Sequence, residues 1–294
     1  MITINHVTKT YGSTLALDDL SLEFDTPGLV CLLGRNGAGK TTLLRSIAGQ
    51  IPISAGHLTV DGLPVDPLHQ PAGVRLVSPD AVHFNARLAT LLRDAAAINP
   101  AFDLDAAADL AGAFRLDLRK RFGALSFGMR SQFNAVLALS SGSSTLLLDE
   151  PVLGFDPVMR TRFYEVLAAT VTDRAITAVV STHIIDEIAR VAERLVIIDR
   201  GRVRLTATVA DLDETAYSVT GPAEAVRAAT DGLTVLSEVS AGGFVTRLIH
   251  DRRIESTDAV AVRTLGLQEF FVALVGDDPA DPPAPHHLTE RTVA

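Results

Sequence analysis

The sequence predicts an α/β fold in which a largely parallel sheet carries helices on its faces. Three observations predict it. A glycine-rich loop, Gly34 to Thr42, stands between an apolar run, Leu29 to Leu33, and residues at helical spacing, Leu43, Leu44, Ile47 and Ala48. Strand-like apolar runs return at 145–148, 176–181 and 195–199 with helical segments between them, the alternation of a parallel sheet. Between these halves, residues 86–141 change texture to alanine and leucine and read as a helical insertion.

Taken in order, residues 1–85 alternate short apolar strands with turns, beginning at Met1-Ile2-Thr3-Ile4. Leu58 to Val60 followed by Val65 reads as a hairpin turning at Asp61-Gly62. Within the insertion, Leu88, Leu91, Leu92 and Ala95 recur at helical spacing, and Asn99-Pro100 separates two helices. Leu125-Ser126-Phe127-Gly128-Met129 opens another helix, for which Ser126 is a natural N-cap. Past residue 205 the pattern loosens into strand-like runs at 217–220, 233–236 and 244–249 around an alanine-rich helix, Ala223 to Ala229. We read 206–275 as a small α+β module whose last helix would bury Leu267, Phe270, Phe271 and Leu274. From residue 276 the chain is rich in Asp, Pro and Ala and reads as a disordered tail; His286-His287 there read as solvated residues, not a metal site.

Composition narrows the classes. A length of 294 residues suits about two domains, and 47% hydrophobic residues suffice for a sizeable core. No apolar run reaches the length of a membrane span and the chain starts directly as a strand, so neither a transmembrane helix nor a signal peptide is expected. A net charge of −9 argues against a general nucleic-acid binder. The single cysteine, Cys31, falls inside the apolar run and reads as a small core residue; an intrachain disulfide is impossible, which suits a reducing cytosol.

The chemistry lies in the loop. Gly34-Arg35-Asn36-Gly37-Ala38-Gly39-Lys40-Thr41-Thr42 fits the GxxxxGK[ST] pattern in the strand–loop–helix context that gives the pattern meaning. Glycines let backbone N–H groups turn inward around an anion, and the helix N-terminus adds partial positive charge. Gly34, Asn36, Gly37, Gly39, Lys40, Thr41 and Thr42 are therefore candidate nucleotide-phosphate ligands. Lys40 would reach the β- and γ-phosphates, and the Thr41 hydroxyl would ligate Mg²⁺. A dinucleotide fingerprint is excluded, because Thr42 stands where GxGxxG needs its third glycine. Leu146 to Pro151 reads as an apolar strand ending in carboxylates, on the sheet edge beside the loop. There Asp149 would hold Mg²⁺ through its water shell, and Glu150 is suited to polarise an attacking water.

The order phosphate loop, Leu125 to Met129, Leu146-Leu147-Leu148-Asp149-Glu150-Pro151, Gly154-Phe155-Asp156, then a strand and Ser181-Thr182-His183, strongly resembles the ABC transporter ATPase family over residues 2 to about 205. The resemblance implies a P-loop NTPase core of the ABC ATPase type binding ATP and Mg²⁺. It implies that Tyr11, 29 residues before Lys40, stacks on the adenine ring. Asp149 corresponds to the Mg²⁺ residue, Glu150 to the catalytic carboxylate, His183 to the switch histidine at the γ-phosphate, and Asp156 to the D-loop aspartate. Ser126 and Gly128 correspond to signature residues that bind the γ-phosphate of the other subunit. Two chains would then pair head to tail, as a homodimer or with a related ATPase, and drive an integral-membrane permease from its cytoplasmic face.

There are departures. Phe127 and Met129 replace a glycine and the glutamine of the common signature, a variant of the exporter branch with type-two permeases. Thr264-Leu265-Gly266-Leu267-Gln268-Glu269-Phe270-Phe271 resembles the ending of drug- and lipid-exporting members, so we expect an exporter. Residues 74–80 lack the glutamine that should link Mg²⁺ to the insertion; Asp80 is the nearest substitute, with a shorter reach. Leu153 stands in place of the usual serine before the D-loop glycine. The rival expectation is a non-transport ABC ATPase acting on ribosomes, repair or regulation, against which stand the absence of a second phosphate loop and of cysteines in the insertion.

Overall fold

The computed structural model describes residues 1–79, 81 and 83–276. Its elements are β1 (Ile2–Tyr11), β2 (Thr14–Phe24), β3 (Gly28–Leu33), α1 (Lys40–Ile47), β4 (Ala55–Val60), β5 (Leu63–Pro64) and β6 (Val74–Val77). The insertion supplies α2 (Leu88–Ile98), α3 (Leu104–Ala113) and α4 (Phe127–Leu139). The core resumes with β7 (Thr145–Asp149), α5 (Pro157–Arg174), β8 (Thr177–Ser181), α6 (Ile185–Ile188), β9 (Arg194–Asp199) and β10 (Arg202–Thr208). The chain continues through α7 (Val209–Thr215), β11 (Ala216–Pro222), α8 (Ala223–Ala229), β12 (Val235–Ala241), β13 (Phe244–His250), β14 (Ala261–Thr264) and α9 (Leu267–Gly276).

A six-stranded sheet in the order β10-β9-β3-β8-β7-β6 forms the centre, parallel except for β10. Every residue of β3 is buried, which is why the sequence there is an unbroken apolar run: a parallel strand is covered on both faces. Its side chains alternate between two cores. Leu29, Cys31 and Leu33 join the insertion, α5 and α9, while Val30 and Leu32 join α1 and the N-terminal strands. Those N-terminal strands make a second, antiparallel sheet, β2-β1-β4-β5, folded over α1. The sequence reading marked strands there but not their separate sheet.

Expected features meet the structure closely in the first hairpin, where β4 and β5 flank Asp61-Gly62, and in α8, which spans Ala223–Ala229. Two differences matter. β7 is not directly beside β3, since β8 lies between them; α1 crosses the sheet to pack on β7 and so closes the gap. β10 stays paired with β9 through Thr208↔Arg194, so we place the start of the accessory module at Val209 instead of residue 206. That module is a third sheet, β12-β13-β11-β14, with its own small core of Tyr217, Val219, Val226, Val245, Ile249 and Val260. The final helix buries Phe270, Ala273 and Val275, with Leu267, Phe271 and Leu274 half-buried. The expected tail and His286-His287 lie outside the described residues. No helix among the described residues is long and apolar enough to cross a membrane.

Candidate active site

The glycine loop leaves β3 and becomes α1 at Lys40, with Gly39 as the N-cap. Gly39 has φ +106, and a Cβ there would sit 2.5 Å from the Ala16 carbonyl oxygen, so this position requires glycine. Lys40 Nζ donates to the carbonyl oxygens of Gly34 at 2.7 Å and Arg35 at 3.2 Å, folding the ammonium into the loop. Burial pulls the Lys40 pKa below its usual value, opposed by the Glu150 and Asp149 carboxylates. Thr41 Oγ1 donates to Asp149 Oδ2 at 2.6 Å, so the two groups assigned to Mg²⁺ touch.

Glu150 follows β7 in the left-handed region, φ +48, an uncommon conformation for a side-chain-bearing residue. Its N–H donates to Ser181 O at 2.8 Å, tying it to the end of β8. Strain of this kind is held where the surroundings over-determine it. Here it accompanies a carboxylate whose Oε2 is 2.8 Å from His183 Nδ1; with a carboxylate as acceptor, Nδ1 carries the proton.

Asn36, Gly37, Gly39, Lys40, Thr41, Thr42, Asp149 and Glu150 line one cavity of about 400 Å³ together with Thr14, Leu15, Ala16 and Pro79. Gly34, Asn36 and His183 line an adjoining one. Tyr11, 47% exposed, ends β1 paired with Thr14, which lines the cavity; Tyr11 itself does not. The remaining predicted residues lie apart from both cavities. Ser126 caps α4, accepting from Met129 N–H at 3.3 Å, and Asp156 caps α5, accepting from Met159 N–H at 2.9 Å. Their two loops meet at glycines, since a Cβ on Gly128 would overlap the Gly154 carbonyl. Asp80 lies outside the described residues.

Sequence reasoning missed Lys9 and the Thr14–Ala16 wall. Lys9 Nζ lies 4.9 Å from the Tyr11 ring centroid. Strand alternation would put residues 9 and 11 on one face, but the pairing register of β1 shifts on both sides of Lys9, which weakens that signal. It also missed His83, whose Nε2 lies 2.7 Å from Asn134 Oδ1 on α4, tying the segment after β6 to the insertion.

The fold and this arrangement define a P-loop nucleotide-binding protein. The family described as ABC transporter matches residues 17–153. The phosphonates import ATP-binding protein PhnC 1 of Haloquadratum walsbyi is 30% identical over 231 residues, covering 71% of this chain and 76% of the relative. The Nod factor export ATP-binding protein I of Mesorhizobium japonicum is also 30% identical, covering 67% of this chain and 60% of that relative. Among solved structures, one described as the ATP binding subunit of an ABC transporter superposes with a TM-score of 0.66 at 25% identity, covering 72% of this chain and 91% of the other. The chain belongs to the ABC transporter ATP-binding proteins, and its core is that of an ATPase.

Proposed function

We propose that this chain is the ATP-hydrolysing subunit of an ABC exporter, paired head to tail with a second ATPase chain and driving a separate membrane permease. The observation that carries the hydrolytic part is that Glu150, bonded to His183, lines one cavity with Lys40, Thr41 and Asp149, where Thr41 bonds Asp149. The donor set fits Mg²⁺. One hydroxyl and one carboxylate suit an ion that keeps several waters and is completed by substrate phosphates. Among the described residues, no group of three His, Cys, Asp or Glu side chains makes a protein-only cage. When bound, Mg²⁺ offsets phosphate charge. Thr41 and Asp149 would hold it there.

The rest belongs to the chain's own residues. Lys40 and the loop N–H groups stabilise negative charge on the transferring phosphoryl group. Glu150 accepts the proton of the water that attacks the γ-phosphorus, and ADP leaves from the opposite side. His183 holds that carboxylate in place and would meet the γ-phosphate. Ser126 and Gly128, which line neither cavity beside their own phosphate loop, serve the partner's nucleotide, and Asp156 lines the same junction.

Export rests on the resemblance of residues 264–274 to exporter endings, since relatives named for import and for export are equally similar. The permease reading draws support from a groove of about 480 Å³ between the β6 segment and α2, where Phe84 and Ile98 are 89% and 85% exposed. A cytoplasmic segment of the permease is the occupant we assign to it. The test is Glu150→Gln. Turnover should fall at least about a hundredfold while ATP binding persists. Tagged protein of that variant, pulled from solubilised native membranes with Mg-ATP, should bring down a multi-span protein in equal amount. Near-normal turnover would remove Glu150 from its role, and ribosomes or repair factors in place of a membrane protein would overturn the transport reading.

A further inference from the structure

The last helix of the accessory module reaches the hydrolytic site. Phe270 and Val275 of α9 share one core with Ile185, Ile188 and Ala192, and α9 packs against α6, the single turn that begins two residues after His183. The helix is anchored from the module side. His250 meets the Phe270 ring edge to face at 5.1 Å. Arg263 bonds both carboxylate oxygens of Glu269 at 3.1 and 2.8 Å, and Glu269 Oε2 accepts the Gly266 N–H at 3.2 Å.

Phe270 would suffice for packing. Phe271, one position further round the helix, instead forms a wall of the cavity of about 390 Å³ shared by Gly34, Asn36, Thr182, His183 and Ile185. The His183 side chain is 61% exposed with Phe271 in place, against 21% for Glu150, so the ring keeps open space on its cavity side. Its hydrogen bond to Glu150 fixes one atom, and Phe271 on another wall of the shared cavity bounds how far the ring can swing away.

We propose that Phe271 is a positioning residue for ATP hydrolysis: α9 braces the turn after His183, and Phe271 keeps the imidazole on the side facing Glu150. The accessory module thereby acts on turnover through one helix, without supplying a group to the chemistry. The inference rests on the role given to His183 above.

The test compares the full-length chain with Phe271→Ala, Phe271→Leu, His183→Ala and the Phe271→Ala/His183→Ala double variant in steady-state ATP hydrolysis. Phe271→Ala should lower kcat about tenfold, with KM for ATP and the thermal midpoint close to wild type. Phe271→Leu should recover most of that loss. In the His183→Ala background, removing Phe271 should cost nothing further. Wild-type kcat in Phe271→Ala, or losses that multiply in the double variant, would overturn the proposal. If His183→Ala keeps wild-type kcat, the reading of His183 fails first, and any loss in Phe271→Ala then arises elsewhere. Should Phe271→Ala lower the thermal midpoint substantially, Phe271→Gln, which keeps length and helix propensity, is read by the same criteria.

Discussion

A buried ammonium lies against the aromatic ring that ends β1. Lys9 is only 9% exposed, and its Nζ donates to Pro52 O at 2.6 Å while standing 4.9 Å from the Tyr11 centroid. A desolvated cation over a ring is worth about 0.5–2 kcal/mol, enough to hold the ring in one orientation and offer its other face to a base. Lys9→Met keeps the stem and removes the charge. We expect ATP affinity to weaken several-fold, by roughly that interaction energy, while tripolyphosphate affinity stays level, both by calorimetry. Equal losses for both ligands would separate Tyr11 from the base. At this scale the sequence was uneven. Lys40, Thr41 and Asp149 were legible because their spacing is itself the chemistry. The burial of Lys9 was not, because it depends on a carbonyl 43 residues further along the chain.

Between elements, the contacts that join the core to the insertion were the least legible. The Ser126 cap is local and could be read from the sequence. The meeting of Gly128 with Gly154 is tertiary and could not. The segment after β6 makes the same point: a missing glutamine drew attention to Asp80, yet the link to α4 that the structure describes is His83 to Asn134, with Phe122 and Phe133 edge-on to the imidazole. Burial lowers the His83 pKa below its model-compound 6.5, with the Asn134 hydrogen bond opposing and nearby Arg75 adding to the shift. The ring is therefore neutral when folded, and the unfolded chain takes up a proton first as pH falls. Stability from this contact is full above about 6.5 and is lost as pH drops toward the lowered folded value. Denaturant midpoints at pH 7.5 and 5.5 should fall further for wild type than for His83→Gln. Identical pH slopes would show that His83 does not set this dependence.

At the scale of the whole molecule, the α/β class was legible because periodicity and the glycine loop report a parallel sheet buried on both faces. The separate antiparallel sheet was not, since strand alternation alone does not say which strands share an edge. The proposed pairing of two chains is supported by Ser126 and Gly128 lining neither cavity beside their own phosphate loop. Sedimentation of Glu150→Gln should give the mass of one chain without nucleotide and twice that mass with Mg-ATP. With ATP and a chelator in place of Mg²⁺, the larger species should be lost. A single-chain mass under all three conditions would contradict the head-to-tail pairing.

The only sulfhydryl, Cys31, sits fully buried in β3, and burial pushes its pKa far above the ordinary thiol range. Maleimides and similar labels react with thiolate, which this position does not offer in the folded state. The natural chain is thus already a blank background for spectroscopic tagging. A lone Val239→Cys substitution, at a position 65% exposed on the rim of the accessory module, would carry the only dye. Energy transfer between donor- and acceptor-tagged copies would then follow separation and approach in real time, with no need to strip the native sulfur first.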